Sequence, residues 1–231
     1  MKYLNKFDSH ASYESEVNGG VDISLPNVSY CKDVKDIHYT PYNLVRFYVG
    51  EITGTTPQTV KIYTDKTTFD EVQVNEGNKW YSYLLPKNKG LYKMKGIAVK
   101  KVNVKANINT NGYIIIPQQT VEASFKDSNT SNVTNMGSMF GYFKSLTFLD
   151  LSGWDTSNVT NMNYMFSECP ILRTLDLSGW DTSNVTAMNA MFSGSSSLTT
   201  IRMVGCSKDT ISKIKARLTE DGLSEDIVQT D

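Results

Sequence analysis

Two histidines, His10 and His38, and three cysteines, Cys31, Cys169 and Cys206, are the residues from which metal or thiol chemistry would have to be built. No cysteine has a close partner and neither histidine adjoins one, so the spacing of a zinc site is absent. An odd, sparse cysteine count is not a disulfide framework. The chain carries no glycine-rich phosphate loop, G-x-S-x-G elbow or H-E-x-x-H pair. Asp150 and Asp176 stand 26 residues apart in matching contexts. On neighbouring strands they would face each other as like charges about 4.8 Å apart, a cost that Ca²⁺, Arg202 or hydrogen bonds could relieve. The carboxylates are few beside a real calcium site, so a polar recognition strip is the preferred reading. No catalytic residue, cofactor or metal is expected. A carboxylate pair for glycoside hydrolysis leaves no sequence motif, and a carbohydrate-active enzyme using these acids stands as an alternative.

Between Gly77 and Val121 there are eight lysines and no acidic residue: Lys79, Lys87, Lys89, Lys93, Lys95, Lys100, Lys101 and Lys105. They suit either an anionic partner or a solvated, guarded sheet face. No arginine accompanies them, so bidentate readout of bases or phosphates has no support. The net charge of -1 gives no whole-molecule attraction to nucleic acid or acidic membranes. Nucleic acid is therefore not an expected partner. No segment reaches the roughly 18 apolar residues of a membrane span. Residues 1–8 lack the apolar stretch of a secretory signal, so none is expected.

The elements that position these groups are set by an internal repeat. Val133 returns as Val159 and Val185, Met136 as Met162 and Met188, and Met139-Phe140 as Met165-Phe166 and Met191-Phe192. Leu146 returns as Leu172 and Leu198, and Leu149 as Leu175 and Ile201, each at a period of 26 residues. The L-x-x-L-x-L run at Leu146, Leu149 and Leu151 predicts a short strand with alternate side chains inward. The Val-x-x-Met-x-x-Met-Phe run has the spacing of a helical turn laid on that core. One unit cannot bury its apolar face alone, so copies must stack. The period places about four strand rungs near 121–125, 147–151, 173–177 and 199–203. Trp154 and Trp180, at equivalent places, are expected to form a structural ladder. Asp155 and Asp181 read as turn residues for the Thr-Ser-Asn that follows.

The stretch Leu149-Asp150-Leu151-Ser152-Gly153-Trp154-Asp155-Thr156-Ser157-Asn158-Val159-Thr160-Asn161-Met162 with Met165-Phe166, and its second copy from Leu175 to Phe192, resembles the BspA-like leucine-rich repeats of bacterial surface proteins. The resemblance covers roughly 120–205. It implies adhesion or ligand recognition, with no catalytic residues.

Outward positions on the rungs are Glu122 and Ser124, Phe148 and Asp150, Thr174 and Asp176, and Thr200 and Arg202. Among positions that differ between copies, Tyr142, Phe143 and Tyr164 are exposed-aromatic candidates for a partner contact. Together Phe148, Asp150, Thr174, Asp176, Arg202, Tyr142, Phe143 and Tyr164 make the candidate ligand-binding set. After the repeat, Ile211, Ile214 and Leu218 predict a capping helix, with Asp209 as N-cap, Gly222 as C′ stop, and Lys213, Lys215 and Arg217 outward. A short strand around Ile227-Val228 follows.

Residues 43–119 read as strands, at Val45–Val49, Val60–Tyr63, Val72–Val74, Trp80–Leu84 and Val99–Val104. Residues 1–42 form a distinct segment, with a short helix over Ser9–Val17 and a hairpin around 32–35. The strings Phe7 to Glu14 and Leu25 to Cys31 are similar to N-terminal segments of virion proteins of gut-bacterial phages. That similarity implies attachment to a capsid or tail; a strand pair packed on the next module is the alternative.

The expected fold is therefore α+β: an attachment segment (1–42), a small antiparallel sandwich-like module (43–119), a leucine-rich-repeat solenoid (120–205) and a helical cap (206–231). The expected function is non-enzymatic recognition of a protein or carbohydrate surface, as a phage fibre or decoration protein, with a bacterial surface adhesin as the alternative. About four rungs give a small surface, so self-association or attachment to a larger assembly is expected.

Overall fold

A computed structural model describes residues 3–7, 43–52, 58–86, 89–96 and 98–231. Of the expected attachment segment only a strand is described, so its helix, its hairpin and most of the residues similar to virion proteins lie outside. Twelve strands are described: β1 (Tyr3–Phe7), β2 (Asn43–Val49), β3 (Gln58–Tyr63), β4 (Phe69–Val74), β5 (Lys79–Leu84), β6 (Lys93–Lys95), β7 (Val99–Ala106), β8 (Glu122–Ser124), β9 (Phe148–Asp150), β10 (Thr174–Asp176), β11 (Thr200–Arg202) and β12 (Val228–Gln229). Among the described residues the one α-helix is α1 (Lys208–Glu220), followed by a single 3-10 turn at Glu225–Ile227.

The α+β expectation is overturned. The described residues are mostly β, built from several small sheets, with one α-helix at one end. Nor do the four repeat strands form one ladder. β8 and β9 complete a six-stranded sheet of order β1-β5-β2-β7-β8-β9, whereas β10 and β11 join β12 in a three-stranded sheet. The third sheet, β4-β3-β6, is antiparallel. In the six-stranded sheet β1, β5, β2 and β7 pair antiparallel, then β7-β8 and β8-β9 pair parallel. Hydrogen bonding thus runs unbroken from the antiparallel strands into the repeat.

Period-2 patterning explains the sheets. Val45, Phe47 and Val49 of β2 and Val102, Val104 and Ala106 of β7 point into one core, and Lys101, Asn103 and Lys105 point out. A bulge opposite Tyr48 and Val49 leaves Lys100 without a partner on β2, which accommodates two successive lysines in an alternating strand.

The Met-Phe segments are not helical turns. Their backbone is a chain of tight turns, and alternate amides donate to the next copy instead of along their own segment. Met136 N–H donates to Asn161 O (2.8 Å), Ser138 to Asn163 O (2.8 Å), Phe140 to Met165 O (3.0 Å) and Tyr142 to Ser167 O (2.7 Å). Met162, Tyr164, Phe166 and Glu168 repeat the pattern onto Ala187, Asn189, Met191 and Ser193. Left-handed backbone at Ser138, Tyr142, Tyr164, Glu168 and Ala190 breaks any helix and aims these donors sideways. Val133, Met136, Met139 and Phe140 are still buried, because the spacing that suits a helix face also suits this turn series.

The rings that stack along the repeat are phenylalanines. Phe140 and Phe166 lie 6.1 Å apart and nearly parallel at 5°; Phe166 and Phe192 lie 6.0 Å apart at 14°. Trp154 instead packs edge-on to Phe125, its indole N–H donating to Phe125 O at 3.0 Å. Trp180 tilts against Phe166.

At the C-terminal end, the N-cap is Ser207, whose hydroxyl accepts from Thr210 N–H; Asp209 sits in the first turn and pairs with Lys213 at 3.1 Å. Gly222 takes the left-handed stop at φ +82, with Leu223 N–H closing on Leu218 O. Arg217 is not outward: it is largely covered and bonds Asp221, itself buried, at 3.1 Å. Lys213 reaches inward to Thr182 O.

Candidate functional site

Because neighbouring strands hold their residues in register, the face of the six-stranded sheet opposite Phe47 and Val102 is a grid, exposed at Phe148 and buried at Arg46 and Ser82. One row reads Trp80, Tyr48, Lys101, Glu122, Phe148; the next reads Ser82, Arg46, Asn103, Ser124, Asp150. A cleft of about 510 Å³ lies over this grid, lined by Tyr48, Trp80, Lys101, Asn103, Glu122, Ser124 and Phe148, with Val102 and Ala123 contributing backbone-side surface. That volume is within the range of small-ligand sites.

Each wall has a local cause. Tyr48 and Trp80 are cross-strand partners whose rings meet edge to face at 5.7 Å. The Arg46 guanidinium lies 4.8 Å from the Trp80 ring, which fixes that ring from behind. Three strands away Phe148 forms the opposite rim and is 50% exposed. At ~4.8 Å per strand the two walls stand about 14 Å apart. Between them Lys101 Nζ and Glu122 Oε1 pair at 2.9 Å, and Ser124 donates to Asp150 Oδ2 at 3.5 Å. Both partners of the Lys101–Glu122 pair are about two-fifths exposed, so the pair adds under ~1 kcal/mol to stability. It does leave ammonium and carboxylate groups within reach of a ligand in the cleft. Asn103 adds an exposed amide.

Phe148 thus belongs to the cleft, and Asp150 stands beside it through its contact with Ser124. The other Asp150 oxygen, Oδ1, accepts from Ser152 N–H (3.0 Å) and hydroxyl (2.6 Å), and Asp176 Oδ1 accepts from Ser178 N–H (2.9 Å). These aspartates therefore close turns after their strands. Asp155 and Asp181 do the same for Ser157 and Ser183. The hydroxyl and then the amide of Ser157 hold Asp155 below its ordinary carboxylate value. Thr174, Asp176 and Arg202 sit on the separate β10-β11-β12 sheet, with Asp176 opposite Arg202. Among the described residues no three of His, Cys, Asp or Glu gather as a metal site.

Tyr142 and Tyr164 are exposed (50% and 45%) and lie in the inter-copy turns, away from the cleft residues, both in left-handed backbone. Phe143 is not exposed. It is fully buried and packs on Phe140 at 6.3 Å, because its position faces inward in every copy. Cys169 and Ser195 occupy the same place, and each bonds the carbonyl 29 residues earlier, Phe140 and Phe166. Burial, with Glu168 adding to it, pushes the Cys169 thiol up to about 11. It is a packing group at neutral pH.

Tyr48, Trp80 and Asn103 are the cleft residues that sequence reasoning missed. Alternation in β2, β5 and β7 marks them as outward, but nothing in the order of the chain places β5, β2 and β7 beside β8.

Residues 100–213 match the family described as Mycoplasma protein of unknown function, DUF285. No curated protein and no solved structure matches the chain. Among the described residues no helix is long and apolar enough to cross a membrane.

Proposed function

We infer that the chain is a non-enzymatic recognition protein whose ligand is a short glycan held in the cleft across β5, β2, β7, β8 and β9. The observation that carries this reading is the pairing of two aromatic walls, Tyr48-Trp80 and Phe148, with a hydrogen-bonding floor of Lys101, Asn103, Glu122 and Ser124. A sugar offers the complement: C–H faces that pack on rings, and hydroxyls that both donate and accept. The cleft is open and built on strands, so little has to be reorganised when a ligand enters.

The test is titration of the full chain with a panel of neutral oligosaccharides, followed by Trp80 fluorescence and calorimetry, with the sugar recovered afterwards and analysed. Binding is expected to weaken about tenfold or more in Phe148→Ala and in Asn103→Ala. Cleavage of the recovered sugar would replace this reading with the carbohydrate-active enzyme. Binding that is indifferent to both substitutions would remove the cleft from the function.

A protein ligand is the second reading, favoured by the exposed Tyr142 and Tyr164, since aromatic side chains are common anchors of protein interfaces. Under either reading the setting is a virion or a bacterial cell surface, with several copies associated or attached to a larger assembly so that weak contacts add.

A further inference from the structure

The β4-β3-β6 sheet carries a cluster of cations unrelated to the cleft. Lys93 and Lys95 are two residues apart on β6 and so project from the same face. Their register partners on β3 are Tyr63 and Lys61. The Lys93 ammonium lies 4.9 Å from the centre of the Tyr63 ring, 5.5 Å from that of Tyr92 and 5.8 Å from that of Tyr113. The Lys95 ammonium lies 6.0 Å from Tyr63. Tyr92 is buried and its ring meets that of Tyr113 at 5.8 Å, so the frame is packed rather than a loose surface array.

Elsewhere in the acid-free stretch three lysines find carboxylates just outside it. Lys79 pairs with Glu76, Lys101 with Glu122 at 2.9 Å and Lys105 with Asp127 at 3.9 Å. Neighbouring Lys61 pairs with Glu71 at 3.2 Å. Among the described residues no carboxylate pairs with Lys93 or Lys95. Loss of water, then the charge of Lys95, lowers the proton affinity of Lys93. The tyrosine faces offset part of that cost. With ammonium groups already on those faces, the rings are not free to stack nucleobases. What the cluster offers outward is hydrogen-bond donors around two positive charges, and the complement of that set is an oxyanion.

We propose that Lys93 and Lys95, framed by Tyr63, Tyr92 and Tyr113, form an anion-binding subsite for the carboxylate or sulfate group of an acidic sugar. Nothing in it is shared with the cleft, so it stands or falls separately from the cleft's ligand. The absence of arginine fits a point-charge contact to a single anionic group better than a planar, two-pronged one.

The experiment is calorimetric titration of the full chain at low salt with an oligogalacturonide, which carries carboxylates, and a chondroitin sulfate oligosaccharide, which carries sulfates as well. Maltooligosaccharide, inorganic sulfate, polyglutamate and a single-stranded oligonucleotide are the controls. At least one acidic sugar is expected to bind, more weakly as salt rises. Its affinity is expected to fall about tenfold or more in the Lys93→Gln, Lys95→Gln double variant. The single variant Lys95→Gln, at the more exposed position, should show a smaller loss with an unchanged melting temperature. Which of the two sugars binds identifies the group. Equal binding of polyglutamate or the oligonucleotide, binding of inorganic sulfate as tight as that of the sugars, or acidic-sugar binding untouched by the double variant would each overturn the proposal, as would no binding.

Discussion

In the two inner copies the amides of Phe140 and Phe166 donate to carbonyls of the copy that follows, Met165 and Met191. After the last copy no such carbonyl exists, and Phe192 N–H turns instead to the Asp221 carboxylate, 2.8 Å away. Arg217 holds that carboxylate from the other side at 3.1 Å. The end of the repeat is thus closed by one side chain from just beyond α1, which takes the place of a missing backbone acceptor. Thr210 plays the same part for Thr182, whose counterparts Thr130 and Thr156 bond carbonyls of Asp155 and Asp181. In Asp221→Ala a buried amide loses its acceptor and a largely buried guanidinium loses a partner. Stability should fall by about 2–3 kcal/mol. Hydrogen exchange provides the check: the Phe192 amide should lose protection while that of Phe140 keeps it. Equal loss at both amides would mean that the contact supports the whole repeat instead of its end.

At the scale of elements, the phenylalanine stack holds the copies together. Phe166 lies between Phe140 and Phe192 and beside Trp180, so it contacts both neighbouring copies at once. Phe166→Ala should cost about 3–5 kcal/mol by chemical denaturation, and Phe192→Ala, stacked on one side only, measurably less. A reversed order would show that the ring stack is not what couples the copies. The period of 26 made the four repeat strands legible from Leu149, Leu175 and Ile201. The state of the segments between them was not legible. Met136, Met139 and Phe140 have a helix-like spacing, and what overrides it is the left-handed backbone at Ser138 and Tyr142, residues whose side chains do not announce that conformation. Phe143 was misjudged for a related reason. Its counterparts Cys169 and Ser195 look like surface variation, yet all three face the core.

At the scale of the molecule, β7 and β8 join antiparallel strands to repeat strands in one sheet, and Lys101–Glu122 and Lys105–Asp127 span that junction. Chemical unfolding should therefore be a single transition whether followed by Trp80 or by Trp154 and Trp180 in single-tryptophan variants. Separate midpoints would show two independent units. A 120–231 fragment would bare the β8 edge along with Ala123 and Phe125, and light scattering should find it aggregated. The cleft is a product of this same junction, and that is why it could not be read from the sequence. Phe148 was visible as an outward repeat position, but Tyr48, Trp80 and Asn103 become its neighbours only through pairings such as Tyr48–Trp80, Tyr48–Lys101 and Asn103–Ser124, which lie 32, 53 and 21 residues apart in the chain. The amides that bridge one copy to the next meet equivalent acceptors at each step, and the terminal helix with Asp221 bonds Thr182 and Phe192 of the final copy. A duplication of one 26-residue unit within 152–178 would thus leave the cleft at one end and the closing helix at the other untouched. Slippage at the level of the gene could lengthen such a protein in whole units, changing its reach while both ends stay as they are.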